Sequence, residues 1–294
     1  MTRAAVIGVG VMGSAIAARL LDGGAQVWVY DRSAEKCADL ARRGARAAAT
    51  ARAATTDAEF VICSLNSAAI VEQAVFGSDG VHESADASKL LVDMSSIDPG
   101  KTALLAARLL SDTGMGWVDA PLSGGAPAAA SGTLTLMVGG SAADVARAAP
   151  LLSQLSDHYT HLGAPGAGQA VKLVNQVLCA NAFMAVAEAV KFAEGMGVDA
   201  TLIPAALKGG RADSRILQEF MAKMARRDFS PTGRIDNMLK DLETVQAAAM
   251  GHRVPMPITS LITDLHRMLV AAGLGAADSA EYMRLFDLAA DRDA

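Results

Sequence analysis

The stretch VIGVGVMGSAIA, residues 6–17, decides how the rest of the chain is read. Residues 4–9 (AAVIGV) make an apolar run of strand length, and residues 13–24 (GSAIAARLLDGG) carry a helical pattern closed by two glycines. Between them Gly8, Gly10 and Gly13 spell G-x-G-x-x-G, with Val11 and Met12 completing the loop. Alone, that spelling is weak. Here a strand leads into it, a helix leaves it, and an acid, Asp31, closes the next apolar run, QVWVYD (26–31). In that setting each glycine has its own task. Gly8 makes the tight turn. Gly10 lets the backbone approach a pyrophosphate held on the N–H groups at the helix start. Gly13 lets the helix pack close to the strand. Asp31 would accept hydrogen bonds from the adenosine ribose. Its charge disfavours a 2′-phosphate and points to NAD, while Arg32, directly after it, could hold that phosphate and leaves NADP open. The alternative, a glycine-rich turn with no ligand, has all three features of the context against it.

Outward from this loop the alternation continues. Strand-like runs recur at 60–65, 89–96 and 134–140, residues 116–125 read as strand then loop, and helical patterns fall at 33–44, 68–77 and 100–114. Repeated strand–helix units imply a parallel sheet covered on both faces. After about residue 163 the strand signals stop. Helical patterns follow at 166–196, 199–208, 213–226, 234–250, 257–273 and 278–290, beyond a Gly/Pro-rich passage at 162–169. The expected architecture is α/β: an N-terminal Rossmann-type doubly wound sheet over 1–163, then an all-α C-terminal domain over 164–294.

Composition narrows the function. The chain has 294 residues, a length that suits two domains, and is 52% hydrophobic and 19% charged, so a large core is available. A net charge of −5 without a basic cluster, and 4% aromatic residues, argue against nucleic acid as a partner. Cys37, Cys63 and Cys179 lie far apart, with no metal or redox spacing, and fit a reducing, cytoplasmic setting. His158 and His161 fall in a strand-like run that would turn them to opposite faces, so no metal site is expected there. The N-terminus has no signal-peptide pattern. The apolar stretch around 171–190 includes Lys172, Asn175, Gln176, Asn181 and Glu188, too many polar groups for a lipid span, and reads as a helix buried in protein rather than in a membrane.

That stretch raises a second question. On the helix GAGQAVKLVNQVLCAN (166–181), Lys172, Asn175 and Gln176 lie three and four residues apart and share a face. Together with DAPLSGGAPAAASGTLTLMVGG (119–140) and FSPTGRIDNMLKDL (229–242), this helix and the glycine loop resemble, over nearly the whole chain, the β-hydroxyacid dehydrogenase family. That group contains 3-hydroxyisobutyrate dehydrogenase, tartronate semialdehyde reductase and L-threonate dehydrogenase. The resemblance implies an NAD(P)-dependent oxidoreductase that moves a hydride between the nicotinamide and the β-carbon bearing the hydroxyl or carbonyl of a small carboxylic acid. Lys172 matches the catalytic lysine, which exchanges a proton with that hydroxyl. In an apolar cleft its ammonium would be destabilised, bringing the amine toward working pH. Snorkelling to solvent is the plain alternative. Ser123, Gly124 and Gly125 would hold the substrate carboxylate, Asn175 and Gln176 would face the substrate, and Leu65, Asn66, Ser96 and Lys240 would lie on the cofactor side. Many members carry two asparagines after the lysine. Gln176 in the second place resembles the tartronate semialdehyde reductases and points to 2-hydroxy-3-oxopropionate. 3-Hydroxyisobutyrate, L-threonate and serine are rivals, with imine reduction and a silent cofactor-binding module further off. The resemblance also implies a homodimer or homotetramer, built on the helical half.

Overall fold

Alternate residues of the first strands belong to two different packed faces. On β1 (Arg3–Ile7), Ala4 and Val6 pack with Val27, Val29, Ile62 and Val92, whereas Ala5 and Ile7 pack with Trp28, Val61, Cys63 and Leu91. A strand buried on both faces reads as a continuous apolar run, because neither set of side chains meets water. The computed structural model describes residues 1–287. Within them the chain divides into two compact units, one over residues 1–172 and one from residue 173 onward.

The first unit is a nine-stranded sheet. Its strands are β1, β2 (Gln26–Tyr30), β3 (Arg46–Ala47), β4 (Phe60–Cys63), β5 (Leu90–Asp93), β6 (Gly116–Asp119), β7 (Leu122–Ser123), β8 (Thr135–Gly139) and β9 (His158–Gly163). They lie in the order β3-β2-β1-β4-β5-β6-β8-β7, with β9 on β8. From β3 to β6 every pairing is parallel. The helices α1 (Val11–Asp22), α2 (Ala38–Arg42), α3 (Ala51–Thr55), α4 (Ala68–Phe76), α5 (Pro99–Thr113), α6 (Gly125–Ser131) and α7 (Ala142–Leu155) are distributed along it. The chain crosses from one side of β1 to the other between β3-β2-β1 and β4-β5-β6, so the carboxyl end of β1 is the switch point where open α/β sheets hold ligands.

The parallel pattern expected of the sheet holds from β3 to β6 and gives way at the far side. β8 runs antiparallel to both β6 and β7. Only the short α6 separates β7 from β8, and a parallel crossover needs a dozen or more residues. The segment after β6, read as loop, contains β7 and α6. Its sequence GAPAAAS has no polar–apolar contrast for periodicity to register. α7 also escapes the pattern, because Pro150 lies in its interior and reads as a breaker.

The second unit is helical: the continuation of α8 (Ala167–Gly195), α9 (Ile203–Leu207), α10 (Arg215–Ala225), α11 (Ile235–His252), α12 (Pro257–Leu269) and α13 (Arg284–Asp287). The helix expected over 278–290 is a 3₁₀ turn at Ser279–Met283 followed by α13, and its last residues, 288–290, lie outside the described residues. α8 is long and apolar enough to cross a bilayer, yet Ala180, Met184, Ala187 and Val190 belong to the core of the helical unit. Val174, Leu178 and Phe192 are exposed on the same helix, and Met196 is exposed directly after it. The division between the units falls inside α8, nine residues beyond the boundary expected after 163. The first turn of α8 is fastened to β6 by the Asp119 carboxylate, so those residues pack with the sheet.

Candidate active site

The glycine loop sits at the switch point. Gly8 has φ +91°, a conformation that only glycine adopts without strain, and a Cβ there would lie 2.5 Å from the Ser64 carbonyl oxygen. A Cβ on Gly13 would lie 1.9 Å from the Gly8 carbonyl oxygen, so the absence of a side chain is what lets α1 approach β1. Gly10 is different in kind: a Cβ there would meet nothing within 4 Å. α4, α5 and α7 begin at Ser67, Asp98 and Ser141, whose side chains accept a backbone N–H of the first turn. α1 begins at Gly10 with no side-chain cap. Val11 and Gly10 are exposed, Met12 half-buried. A cradle with open space, uncapped amides and glycine at the approach fits the pyrophosphate of a dinucleotide.

Asp31 closes the far side of the loop. One carboxylate oxygen accepts the Val9 N–H at 3.1 Å, and the other accepts the Ser33 N–H at 3.0 Å. Lys36 lies 3.4 Å from that second oxygen, and Arg32 is exposed beside it. Across the switch point, the loop after β4 carries Leu65 and Asn66, and the loop after β5 carries Ser96. These loops are tied together, because the Leu65 N–H donates to the Ser95 hydroxyl at 3.0 Å. Ser95 in turn donates its own N–H to Asp93 Oδ1 at 3.0 Å. Asp93 is wholly buried at the end of β5, its Oδ2 has no partner, and burial pushes its carboxyl up to about 6.

β6 ends one position over, with Asp119 in register with Asp93. The chain then runs through Ser123, paired with Thr135, to Gly124 (φ +121°) and Gly125 (φ +68°). Lys172 is buried, and its Nζ donates to the Leu122 carbonyl oxygen at 2.9 Å, one residue before Ser123. The amine therefore faces protein at the mouth of the Ser-Gly-Gly segment instead of snorkelling to solvent.

In the helical unit the two amides after the lysine are joined. Asn175 Nδ2 donates to Gln176 Oε1 at 2.9 Å, and Gln176 Nε2 donates to Asp241 Oδ2 at 2.6 Å. Lys240 Nζ lies 3.0 Å from the other oxygen of Asp241. Gln176, expected to face the substrate, thus engages both ends of its side chain within the protein. Ser214 caps α10 by accepting the Leu217 N–H. Sequence reasoning passed over Asp93, Ser95, Asp119, Gln169 and Asp241. The available signal was an acid ending each of two otherwise apolar runs, LLVD and GWVD, which sheet register brings side by side.

A dinucleotide cradle at the switch point of a doubly wound sheet, followed by a helical unit, defines an NAD(P)-dependent oxidoreductase. Residues 3–163 match the family model described as the NAD binding domain of 6-phosphogluconate dehydrogenase. Residues 166–286 match that of the NAD-binding of NADP-dependent 3-hydroxyisobutyrate dehydrogenase. An uncharacterized oxidoreductase of Synechocystis is 36% identical, over 90% of this chain and 91% of its own length. The 2-hydroxy-3-oxopropionate reductase of Escherichia coli is 34% identical, over 97% of both. A crystal structure of 3-hydroxyisobutyrate dehydrogenase from Salmonella typhimurium superposes with a TM-score of 0.87 at 29% identity, covering 97% of this chain and all of that one. The chain belongs to the β-hydroxyacid dehydrogenase family and is an NAD(P)-dependent enzyme of it.

Proposed function

We propose that this enzyme interconverts a small β-hydroxy carboxylate and the corresponding aldehyde or ketone, with 2-hydroxy-3-oxopropionate and glycerate as the first-choice pair. The observation that carries the reading is the buried Lys172 amine, 2.9 Å from the carbonyl oxygen that precedes Ser123-Gly124-Gly125. Gly8, Gly10, Val11, Met12 and Gly13 hold the pyrophosphate, Asp31 the ribose, and Leu65, Asn66 and Ser96 the nicotinamide side. NAD(P), when bound there, would supply the hydride acceptor or donor. The Ser123 hydroxyl and the amides of the two glycines hold the substrate carboxylate, and charge-assisted bonds to a carboxylate are the strong kind. Lys172 takes the hydroxyl proton during oxidation and returns it during reduction. Asn175 orients the substrate, with Gln176 holding it from behind through the Asp241 carboxylate, which Lys240 also meets.

Two observations favour 2-hydroxy-3-oxopropionate: Gln176 in the second amide position, and the Escherichia coli relative that bears that substrate's name. Asp31 favours NAD, while Arg32 and Lys36 beside it keep NADP in the assay. The exposed apolar residues of α8 and of α12 (Ile258, Leu261, Met268) support self-association as a dimer or tetramer.

The test is turnover of NAD and NADP with glycerate, 3-hydroxyisobutyrate, L-threonate and serine, on the wild type and Lys172→Ala. The variant should bind dinucleotide and lose turnover by at least about a hundredfold, the scale of general acid–base catalysis. Reduction of cyclic imines alone, or no turnover at all, would replace this reading with imine reduction or a silent binding module.

A further inference from the structure

Asp119 is the last residue of β6 and is fully buried. Its two oxygens divide between two amides at the start of α8. Oδ1 accepts the Gly166 N–H at 2.8 Å, and Oδ2 accepts the Gln169 N–H at 2.9 Å. Helix starts leave their first N–H groups unmet, and ordinarily a serine, threonine or aspartate at the cap meets one of them. Here the residue before the helix is Gly166, which has no side chain to offer, and the acid comes from a strand 47 residues earlier. The fit is close. A Cβ on Gly139 would lie 2.5 Å from Oδ1, and one on Gly168 would lie 2.8 Å from Oδ2. Burial raises the Asp119 carboxyl, and the amide hydrogen bonds from Gly166, Gln169 and Gly168 oppose the rise.

The same helical turn is held a second time. Gln169 Nε2 donates to the Ser95 carbonyl at 2.8 Å, and its Oε1 accepts the Ile97 N–H at 3.2 Å. One turn further, on the face of Gln169, Lys172 donates to Leu122 O. Leu122 is three residues from Asp119 in the same segment. One stretch, 119–125, therefore grips the helix by its first turn, receives the amine and supplies the Ser-Gly-Gly amides.

We propose that Asp119 is a positioning residue: by clamping the first turn of α8 to β6, it sets where the Lys172 amine stands relative to Ser123-Gly124-Gly125. The inference rests on the reading of Lys172 as the proton-transfer group. Misplacing a reacting group by about 1 Å costs on the order of a hundredfold in rate, so a loosened first turn should be felt in turnover before it is felt in cofactor binding.

The test compares wild type, Asp119→Asn, Asp119→Ser and Lys172→Ala as full chains. The asparagine keeps the shape but presents an NH₂ to one of two N–H donors, so one clamp bond is lost. The serine removes the charge and leaves one short hydroxyl in place of two carboxylate oxygens, so at most one of the two amides can be met. The readouts are dinucleotide Kd, kcat and KM with a β-hydroxy acid the wild type oxidises, and the pH profile of kcat. Both Asp119 variants should bind dinucleotide within about twofold of wild type and lose at least about tenfold in kcat. The limb of the profile that Lys172→Ala abolishes should also move by about half a pH unit in each. A folded variant with kcat within twofold and an unmoved limb overturns the proposal. Failure of both variants to fold also overturns it, assigning Asp119 to stability alone. If Lys172→Ala retains turnover, the proposed function itself fails and this inference falls with it.

Discussion

Two glycines of the same loop should behave in opposite ways when each is given one methyl group. At Gly13 the new Cβ would stand 1.9 Å from the Gly8 carbonyl oxygen, where an ordinary carbon–oxygen approach is about 3.3 Å. The helix or the β1–α1 turn must therefore yield by roughly 1.4 Å. Overpacking of this kind costs about 1–3 kcal/mol, and the backbone partner places Gly13→Ala at the upper end. That is a fall of about 6–12 °C in the melting of the first unit, at about 2–4 °C per kcal/mol. At Gly10 the methyl meets nothing within 4 Å, and φ is −67°, which alanine accepts. Lower unfolded-chain entropy favours Gly10→Ala, and the cap preference for glycine opposes it, leaving the free protein within about 1 kcal/mol of wild type. The methyl would, however, occupy the approach to the uncapped amides of α1. NAD at about a hundred times its Kd stabilises the wild type by about 2.7 kcal/mol, and a tenfold weaker site would reduce that gain to about 1.4 kcal/mol. Thermal melts with and without NAD, together with titration calorimetry, separate the two. The reasoning is refuted if Gly10→Ala keeps the full ligand shift, or if Gly13→Ala melts with the wild type.

Three further outcomes are expected. Asp93 holds its proton up to about pH 6, so between about pH 4 and 6 the native state binds more protons than the unfolded one, and stability falls as pH rises. Asp93→Asn should therefore melt above wild type at pH 8, by up to about 3 kcal/mol, and with it at pH 4; equal differences at both pH values would contradict the assignment. Asp278, buried in the helical unit, is held at about 2: burial opposes ionisation, but bonds from Thr232, Lys223, Ala280 and Gly233 outweigh it. Its stabilisation is present above about pH 4 and lost as pH falls toward 2, and Asp278→Ala, which leaves Lys223 without its nearest acid, should cost about 3–5 kcal/mol by urea unfolding at pH 7. Replacing Leu178 and Phe192 by serine should reduce the assembled fraction in sedimentation velocity if the exposed stripe of α8 joins copies of the chain.

The sequence by itself determined the elements whose signals are local. A strand, three glycines and a helix within a dozen residues carry their own meaning, because turn geometry and close approach are properties of neighbours in the chain. The α/β-then-helical order, the acid at 31 and the face shared by Lys172, Asn175 and Gln176 were legible for the same reason. What only the tertiary structure decided depends on residues far apart in sequence. The reversal of β8, the register of Asp93 with Asp119, the Asp119 clamp on α8 and the bond between Gln176 and Asp241 join positions that no window of sequence spans. A buried carboxylate must find N–H groups wherever the fold brings them, so its partners are known only once strands and helices are packed.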